Sequence, residues 1–506
     1  MQGCLIPHRH LILRTTTPFV FRHITYRPAQ GLFPRRKTLL STTAAMPPSP
    51  TPGKRKATQP ISPPPQKRKA ESSISKGAVA NFFTPASQKP KDRTSWSERA
   101  PDAQSPATLL VGRYQPEVQE EEPPVKRRKV IAFDLDSTLI TTASGKKFGD
   151  SPGDWKWWDS SVPARLRQLY TEEGYRVVIL SNQGGLTLHP DPKAKVPKNV
   201  GEKVSNFKQK CSAVLAKLNI PTTVYAATGR DIFRKPRTGM WTEMCSDYGF
   251  SASDVDLEHS LFVGDAGGRT AQIVSGRAVA KDFSCSDRNL AQNIGIAYKT
   301  PEEFFLGEEP REFSRDFDLA SYPEAVEGDD AAGGSQEVLF AKKNKQDIVL
   351  FCGMPGAGKS TFYWRHLKPL GYERINQDTL KRLDKCFQVA TEHLRAGESV
   401  VIDNTNGAPE RRKEWIDLAR KFNVPIRCVW FKTPMALCEH NDVVRALNAG
   451  SLNPEQRTAL PKMAFTGFNA RFKEPKAKEG FEDVVEIDFK FRGSKDDYAI
   501  WGRYWI

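Results

Sequence analysis

Short apolar runs alternate with longer amphipathic stretches from residue 130 to the end of the chain. The stretch Val200–Leu218 has the spacing of a helix with one buried face. Because strands that alternate with helices are typical of a parallel sheet covered on both faces, the pattern predicts an α/β fold. The expected strands form two series: Val130–Leu135, Arg176–Leu180, Thr222–Ala227 and Leu261–Gly264, then Asp347–Cys352, Ser399–Asp403, Ile426–Phe431 and Asp483–Phe489.

A polar break between the two series, roughly from Glu308 to Gln346, includes G-D-D-A-A-G-G at residues 328–334. That composition is typical of a linker. The sequence therefore predicts two three-layer domains with parallel sheets, at residues 126–315 and 340–506, joined by a linker at 316–339. A chain of 506 residues is long enough for two such cores.

The first 125 residues differ in composition from the rest. Residues 46–125 are rich in Pro, Ser, Lys and Thr and have few periodic apolar positions. Such a segment cannot bury enough surface to offset the entropy lost on ordering, so we expect residues 1–125 to form a disordered arm. Residues 1–129 carry 23 Lys and Arg against 8 Asp and Glu, which accounts for most of the net charge of +17. Any nucleic-acid site on the folded part must therefore be a local patch.

The arm contains three candidate signals. Residues 1–45 have seven basic and no acidic residues, as in a mitochondrial presequence, although Met46 is an alternative start. The K-R-K clusters at 54–56 and 67–69 resemble a bipartite nuclear-import signal; a solvated basic tail is the alternative. Residues 76–83, K-G-A-V-A-N-F-F, resemble a sliding-clamp-binding peptide with Lys76 at the usual glutamine, and a chance match is the alternative. We expect a nuclear protein, with mitochondria as a second location.

Eight cysteines are scattered without a C-x-x-C pair, which argues against a zinc site or a disulfide framework. No run of 18 apolar residues occurs, so we expect no membrane-spanning helix. A monomer is expected.

Two carboxylates follow the first apolar strand. Asp134 and Asp136 lie in V-I-A-F-D-L-D-S-T-L-I, and the carboxyl ends of parallel strands form the ligand crevice of such sheets. Two carboxylates there are costly without a cation or a proton, which suggests a metal and acid chemistry. Asp134 would attack phosphorus as a nucleophile, and Asp136 would protonate the leaving oxygen and then activate water.

Three further positions favour phosphate chemistry. Ser181 and Asn182 follow the next strand and offer a hydroxyl and an amide to phosphoryl oxygens. Lys235 can neutralise the phosphate, and Asp265, which follows another apolar strand, can complete a Mg²⁺ site. A turn or capping role is the alternative for each residue taken alone.

In this order the residues resemble the haloacid-dehalogenase phosphatase superfamily, whose signature D-x-D-x-T is matched by Asp134, Asp136 and Thr138. The resemblance implies that Thr138 helps to bind phosphate. It also implies that the metal is held by Asp134, Asp265 and the backbone carbonyl of Asp136. Many members carry a second acidic residue immediately after the last aspartate or four residues beyond it, where this chain has Ala266 and Arg269; Asp282 or Asp287 would take that place.

The second series begins with a phosphate-binding motif. Residues 353–360 read G-M-P-G-A-G-K-S, which matches G-x-x-x-x-G-K-[ST] after an apolar strand and before a helix. Gly353, Gly356 and Gly358 let backbone N–H groups surround the β-phosphate. The side chains of the same motif that are expected to bind MgATP are Lys359 at the β/γ oxygens, Ser360 at Mg²⁺, and the adjacent Thr361.

A carboxylate after the first helix favours a kinase over an ATPase. Asp378, in N-Q-D-T, can accept the proton of an attacking hydroxyl; a helix-capping aspartate is the alternative. Asp403 and Asn406, in I-D-N-T-N, follow the next strand and are expected to support Mg²⁺ through water and to position the substrate. Arg445, and with less support Arg457, would close over ATP, with a surface arginine as the alternative.

Both domains, in this order, resemble the polynucleotide kinase 3′-phosphatases from about Lys129 to the C-terminus. The strings that carry the resemblance are L-I-T-T-x-S-G-K, R-K-P-x-T-G-M-W, D-F-S-C-S-D-R, N-x-D-T-L and I-D-N-T-N. The family resemblance implies a DNA-end enzyme that removes 3′-phosphates and phosphorylates 5′-hydroxyls with ATP and Mg²⁺, readying breaks for ligation. An RNA-end healing enzyme and a small-metabolite phosphatase–kinase fusion stay open; a repair scaffold is disfavoured because the catalytic positions are intact.

The chain departs from the family pattern in three places. Residues 1–125 lack the character of the phosphopeptide-binding β-sandwich of animal members. The lid pattern H-N-x-R-x-R reads H-N-D-V-V-R here and keeps only Arg445. Gln377 replaces an arginine often found before the base, which would shift acceptor preference. Candidate DNA contacts are Arg411–Lys413 and Trp155, Trp157 and Trp158, the tryptophans having core packing as an alternative.

Overall fold

The computed structural model describes residues 92–117, 127–147, 149, 151–191, 199–251, 253–274, 277–323 and 339–506. All of them belong to one compact unit. The predicted presequence, import signal and clamp-binding peptide lie outside the described residues, as does the glycine-rich stretch 328–334. No helix among the described residues is long and apolar enough to cross a membrane.

A seven-stranded sheet organises the first domain. Its strand order is β1-β2-β7-β6-β3-β8-β11, in which the five strands from β7 to β11 run parallel and β2 pairs antiparallel with both β7 and β1. The sheet strands are β1 (Thr94–Arg99), β2 (Leu109–Tyr114), β3 (Val130–Phe133), β6 (Arg176–Asn182), β7 (Thr222–Ala227), β8 (Leu261–Val263) and β11 (Ala297–Lys299). Two small hairpins pair β4 (Ile140–Thr141) with β5 (Lys156–Trp157) and β9 (Gln272–Val274) with β10 (Arg277–Val279).

Helices cover both faces of this sheet: α1 (Val162–Thr171), α2 (Val200–Leu218), α3 (Gly239–Asp247) and α4 (Ser286–Ile294). The alternation of side chains along a strand divides the core into two layers. Ile131 and Phe133 of β3 belong to one hydrophobic cluster, and Val130 and Ala132 belong to the other. Because the strand is buried on both faces it is apolar throughout, and the predicted three-layer α/β architecture is confirmed.

The prediction of disorder up to residue 125 is wrong for residues 92–117. Strand β2 pairs with β7, and its side chains alternate between the two core layers, with Leu109 and Val111 in one and Leu110 and Tyr114 in the other. Trp96 of β1 lies against Gly112, where an added Cβ would be only 2.5 Å from the indole ring. The sequence pattern does not indicate these strands, because the apolar run of β2 is short and is flanked by Pro-rich and polar residues.

A five-stranded parallel sheet organises the second domain, in the order β13-β14-β12-β15-β16. Hydrophobic clusters lie on both of its faces. The strands are β12 (Ile348–Cys352), β13 (Tyr372–Ile375), β14 (Ser399–Ile402), β15 (Ile426–Phe431) and β16 (Val484–Ile487). The helices are α5 (Lys359–Phe362), α6 (Gln377–Leu380), α7 (Leu383–Arg395), α8 (Pro409–Phe422), α9 (Met435–Leu447), α10 (Lys462–Arg471) and α11 (Lys495–Trp501).

The end of the chain joins the two domains. Tyr504 donates its backbone N–H to Asn293 Oδ1 of α4 at 2.8 Å, and Asn293 Nδ2 donates to the carbonyl of Tyr504 at 2.7 Å and to that of Pro236 at 2.8 Å. Phe317 and Leu319 pack with the second domain and the C-terminal residues, so the segment predicted as a linker from residue 316 is ordered at its start.

Replacing Asn293 with alanine is expected to lower the free energy of unfolding by roughly 1–3 kcal/mol, because two carbonyls and one N–H of the interface lose their partner. Urea unfolding followed by tryptophan fluorescence measures the change. The matched control is Gln388→Ala, which removes an exposed hydrogen bond to Glu392 on α7. Equal unfolding midpoints for the two variants would contradict the interface role of Asn293.

Candidate active sites

The first candidate site lies at the carboxyl ends of β3, β6 and β8, where the parallel sheet opens. Asp134 follows β3, Ser181 lies near the end of β6, and Asp265 follows β8 by one residue. Lys235 comes from the loop before α3, and Asp287 lies in the first turn of α4. Four charged side chains, those of Asp134, Lys235, Asp265 and Asp287, therefore meet at one edge of the sheet, as the strand pattern predicts for Asp134 and Asp265.

A cluster of three carboxylates forms the centre of this site. Asp134, Asp265 and Asp287 each present an oxygen, and these oxygens lie within 4.8 Å of one another. Asp287 approaches this closely because residue 264 is glycine; an added Cβ at that position would be 2.2 Å from Asp287 Oδ2. Asp287 Oδ2 also accepts the N–H of Ala266 at 3.1 Å, which fixes its orientation.

Burial and mutual repulsion raise the pKa of two of these carboxyls. For Asp265, burial and the neighbouring Asp134 and Asp287 raise the pKa to about 8. For Asp134, burial raises the pKa to about 6 against the opposing effect of Lys235. Three carboxylates in so small a space are unfavourable unless they share protons or a cation, and oxygen ligands of this kind are those that Mg²⁺ prefers.

Lys235 is the positive charge of the site. Its Nζ lies 2.6 Å from Asp134 Oδ1 and 2.8 Å from Asp287 Oδ1, and the residue is only 4% exposed. Burial alone would lower its pKa, but the two carboxylates raise it. Asn182, predicted to bind phosphate, instead uses its amide on the backbone of Lys235: it accepts the N–H at 2.9 Å and donates to the carbonyl at 3.1 Å. Asn182 therefore positions the lysine.

Asp136 does not join the carboxylate cluster, and its side chain is more exposed to solvent than that of Asp134. Its side chain is half exposed and accepts from Gln183 Nε2 at 2.7 Å and Lys210 Nζ at 3.1 Å. Gln183 also donates to the Ser181 hydroxyl at 3.0 Å, which links the end of β6 to Asp136. A solvent-accessible carboxyl beside the buried Asp134 is suited to exchange protons with a leaving group and with water.

The structure separates the two candidates for the additional acidic residue. Asp282 pairs with the buried Arg269, whose Nε lies 3.0 Å from Asp282 Oδ2, so its charge is used outside the cluster. Asp287 is the one that joins the cluster. The Thr138 hydroxyl is fully buried and has no hydrogen-bond partner among the described residues, and its predicted contact with phosphate stays a prediction. The three candidate tryptophans, Trp155, Trp157 and Trp158, pack against the core.

The second candidate site is the loop between β12 and α5. Gly356 and Gly358 have φ angles of +77° and +91°, which favour glycine. An added Cβ at Gly356 would lie 2.2 Å from the carbonyl oxygen of Cys438, and one at Gly353 would lie 2.9 Å from Phe431. Cys438 and Phe431 therefore pack directly against the backbone of the loop, which leads into the N-terminus of α5. A glycine-rich loop before a helix is the arrangement that binds a nucleotide phosphate.

The lysine and serine of this loop have defined partners. Lys359, 8% exposed, donates from Nζ to the carbonyls of Gly353 and Met354 at 3.0 and 2.6 Å, and burial lowers its pKa. The Ser360 hydroxyl donates to Asp403 Oδ2 at 3.0 Å, so the two predicted metal-supporting groups are in contact. Thr361 is exposed in the first turn of α5.

Asp378 lies in α6, directly after β13, and is exposed. Its Oδ2 accepts from Arg457 Nη1 at 2.7 Å. Sequence reasoning did not identify one further charged residue that lies near this site. Arg374 of β13 contacts Ser360 and Asp403. Its side chain looks unremarkable in sequence because it lies within a strand, and only the folded sheet brings it to the phosphate loop.

Three other candidate residues of this domain have defined partners, and the predicted roles of Asn406 at the substrate and Arg445 at ATP stay predictions. Asn406 is buried and donates to the carbonyl of Phe351 at 2.8 Å, so its amide supports the strand below the loop. Arg412 is buried and pairs with Glu479 at 2.8 Å, so it is no DNA contact. Arg445 pairs with Asp442 of its own helix, and burial lowers its pKa.

A carboxylate nucleophile site in one α/β domain and a phosphate-binding loop in the next define a two-domain phosphoryl-transfer enzyme. Residues 129–305 match the family model described as polynucleotide kinase 3 phosphatase, and residues 348–385 and 380–475 match a model described as an AAA domain. The chain is 39% identical to a bifunctional polynucleotide phosphatase/kinase of Schizosaccharomyces pombe over 75% of its length and 84% of the relative.

Two other relatives are also named for polynucleotide phosphatases. A putative bifunctional polynucleotide phosphatase/kinase of Acanthamoeba polyphaga mimivirus is 31% identical over 74% of this chain and 88% of its own. A polynucleotide 3′-phosphatase of Saccharomyces cerevisiae is 28% identical and covers 35% of this chain and 87% of its own. The chain belongs to the family of bifunctional polynucleotide phosphatase/kinases, with the phosphatase domain first and the kinase domain second.

Proposed function

We propose that this enzyme repairs DNA strand breaks by hydrolysing 3′-phosphates in the first site and phosphorylating 5′-hydroxyls with ATP in the second. The observation that carries the proposal is the coexistence of the Asp134–Lys235–Asp287 cluster with a complete phosphate-binding loop in a chain of this family. Each site supplies the groups needed for one half of the reaction, and the family supplies the polynucleotide substrate.

In the phosphatase site, Asp134 Oδ attacks phosphorus and the bond to the 3′-oxygen breaks, giving an aspartyl-phosphate. Lys235 lies beside the attacking oxygen and balances the negative charge that accumulates on the phosphoryl group. Asp136 donates a proton to the departing 3′-oxygen and then takes one from the water that hydrolyses the intermediate. Asn182 keeps Lys235 in place through both steps.

The residues of this site fit Mg²⁺. Three carboxylates with oxygens within 4.8 Å of one another provide hard oxygen ligands and an excess of negative charge beside a single lysine. Asp134, Asp265 and Asp287 would hold or support the ion. When bound, it would offset the charge of the phosphate and keep the carboxylates ionised.

Mg²⁺ is expected to stabilise the enzyme more at about pH 8.5 than at about pH 5.5. Because the pKa of Asp265 is raised to about 8, its protonated form stabilises the metal-free fold at low pH, and that contribution is lost as the pH rises through about 8. A bound cation then replaces the proton. At about 100 times its dissociation constant the ion adds about 2.7 kcal/mol.

Thermal unfolding with EDTA and with Mg²⁺, at both pH values, measures this effect. Asp265→Asn removes one ligand charge and is the matched control, in which the pH dependence of the Mg²⁺ effect should shrink. An effect of equal size at both pH values would contradict a metal site made of these carboxylates.

In the kinase site, Asp378 accepts the proton of the 5′-hydroxyl as its oxygen attacks the γ-phosphorus of ATP and the bond to ADP breaks. Lys359 and the loop N–H groups bind the phosphates. Ser360 and Asp403, already in contact, would hold Mg²⁺ directly and through water. Asp378 can accept this proton only after its ion pair with Arg457 breaks. The segment that carries Arg457 must therefore move before Asp378 acts as the base.

The deciding experiment uses a nicked duplex with a 3′-phosphate and a 5′-hydroxyl, end-labelled, with Mg²⁺ and with or without ATP. We expect the 3′-phosphate to disappear in both conditions and a 5′-phosphate to form only with ATP. Faster turnover of matched RNA ends would favour RNA-end healing. Turnover of small phosphate esters without change at either DNA end would refute the DNA assignment.

We further propose that the enzyme is a nuclear monomer with a mitochondrial form, and that residues 76–83 bind a sliding clamp. The basic clusters at 54–56 and 67–69 and the acid-free first 45 residues support the two locations. Replacing the basic residues at 67–69 in the full chain should move a fluorescent fusion out of the nucleus, and an unchanged distribution would refute the import signal.

A further inference from the structure

Arg374 occupies a position that no motif of the kinase domain explains. It lies in β13, and its side chain is only 12% exposed. Nη2 donates to the Ser360 hydroxyl at 2.9 Å, and Nε donates to Asp403 Oδ2 at 2.7 Å. A guanidinium therefore contacts both groups that are expected to surround MgATP. A positive charge at this point would face the terminal phosphate of a bound nucleotide.

Glu455 connects this guanidinium to a second one. It lies between α9 and α10, and its Oε1 accepts from Arg374 Nη1 at 2.6 Å. Its Oε2 lies 2.6 Å from Arg457 Nη2, and Arg457 pairs in turn with Asp378. The charges alternate in sign from Asp403 through Arg374, Glu455 and Arg457 to Asp378, so one line of ion pairs runs from the phosphate loop to the proposed base.

The turn that carries Glu455 is stabilised by hydrogen bonds between its own residues. Asn453 accepts the N–H of Arg457 at 2.8 Å and donates to its carbonyl at 3.0 Å, closing the turn around Glu455. The side chain of Glu455 is 28% exposed. Solvent therefore reaches the carboxylate of Glu455, and an anion that enters the site can compete with it for the arginine side chains.

A carboxylate between two guanidiniums has the chemistry of a phosphate substitute. Arginine binds carboxylate and phosphate with the same fork of N–H donors, and phosphate brings more charge and more acceptor oxygens. In the ion-paired state Arg374 also engages Ser360 and Asp403, the groups that MgATP requires. Nucleotide binding must therefore release Arg374 from part of its contacts and give it a new anionic partner.

We propose that Arg374 binds the γ-phosphate of ATP and that Glu455 competes with this phosphate for the Arg374 guanidinium. The inference rests on the proposed kinase function and adds a residue that distinguishes ATP from ADP. When ATP binds, the γ-phosphate accepts the guanidinium N–H groups that Arg374 otherwise donates to Glu455, and the turn that carries Glu455 moves away. Arg457 belongs to the same turn and moves with Glu455, so Asp378 loses its arginine partner and becomes available to the 5′-hydroxyl.

Isothermal titration of the full-length enzyme with MgATP and MgADP tests the proposal. Arg374→Gln should weaken ATP binding by about tenfold or more, the value of a charge-assisted hydrogen bond, and change ADP binding by no more than about twofold. Glu455→Gln should strengthen ATP binding several-fold with little change for ADP. The controls are Arg382→Gln and Glu486→Gln, which remove exposed ion-pair partners elsewhere in the domain.

The outcomes separate the alternatives. Equal losses of ATP and ADP affinity in Arg374→Gln would show a structural ion pair and overturn the proposal. So would weaker ATP binding in Glu455→Gln, a variant that keeps the buried Asp403 paired and so tests the idea even if Arg374→Gln unfolds. If the wild-type enzyme binds ATP more tightly than ADP but phosphorylates no 5′-end, the proposed kinase function fails. The Arg374 inference is then still decided by whether Arg374→Gln lowers the affinity for ATP more than the affinity for ADP.

Discussion

Asp134→Asn is expected to lower 3′-phosphatase activity by at least about a thousandfold, because an amide cannot replace the carboxylate that attacks phosphorus. The substitution keeps the size of the side chain and leaves Asp287 to pair with Lys235. Release of phosphate from a 3′-phosphorylated oligonucleotide measures the loss. Kinase activity of the same preparation should stay within about twofold of wild type, since its groups lie on a separate sheet.

Unfolding should not explain this loss. The pKa of Asp134 is raised, which means that its ionised form is unfavourable in the metal-free fold. Removing one of three clustered carboxylates reduces repulsion, so the metal-free variant should unfold at or above the wild-type temperature. Substantial phosphatase activity in Asp134→Asn would mean that another residue is the nucleophile, and trapping of labelled phosphate on the wild-type protein would then locate it.

The sequence was sufficient to predict the parallel core of each sheet and the approximate site, because parallel strands place the residues that follow them at one edge. Asp134, Ser181 and Asp265 lie near strand ends as expected, and the lysine at 235 reaches the same point. The phosphate-binding loop was equally readable, since its glycines are required by backbone geometry that a motif records directly.

Partner choice could not be predicted from sequence. Asp282 and Asp287 are separated by only five positions and were equivalent candidates, yet one pairs with Arg269 and the other approaches Gly264. Asn182 likewise has the chemistry of a phosphate ligand but is used on the backbone of Lys235. A polar side chain offers the same atoms to several partners, and only the packed structure decides among them.

Strand β2 and Arg374 could not be predicted because their roles depend on contacts with segments that are distant in sequence. Strand β2 is short and lies in a polar, proline-containing region, so its burial against β7 becomes visible only when the sheet is assembled. Arg374 reads as an ordinary strand residue, and its contacts with Ser360 and Asp403 depend on three separate segments meeting. Long-range pairing of this kind has no local sequence signal.

Lys359→Ala is expected to lower 5′-kinase activity by about a hundredfold or more, because it removes the charge that binds the β- and γ-phosphates as transfer proceeds. The ammonium donates to two loop carbonyls, and burial lowers its pKa. The negative charge of the ATP phosphates would stabilise the charged form of this buried lysine. Transfer of labelled phosphate from ATP to a 5′-hydroxyl oligonucleotide measures the effect.

The variant separates a binding role from a role in the reaction. If Lys359 acts mainly as phosphate is transferred, kcat should fall more than the affinity for ATP, whereas a pure binding role would raise KM and leave kcat unchanged. Phosphatase activity should persist, and Lys343→Ala, which removes an exposed lysine paired with Asp483, should leave both activities unchanged. Kinase activity that survived Lys359→Ala would place the phosphate site outside this loop, and the contacts of Ser360 with Asp403 and Arg374 would then be structural.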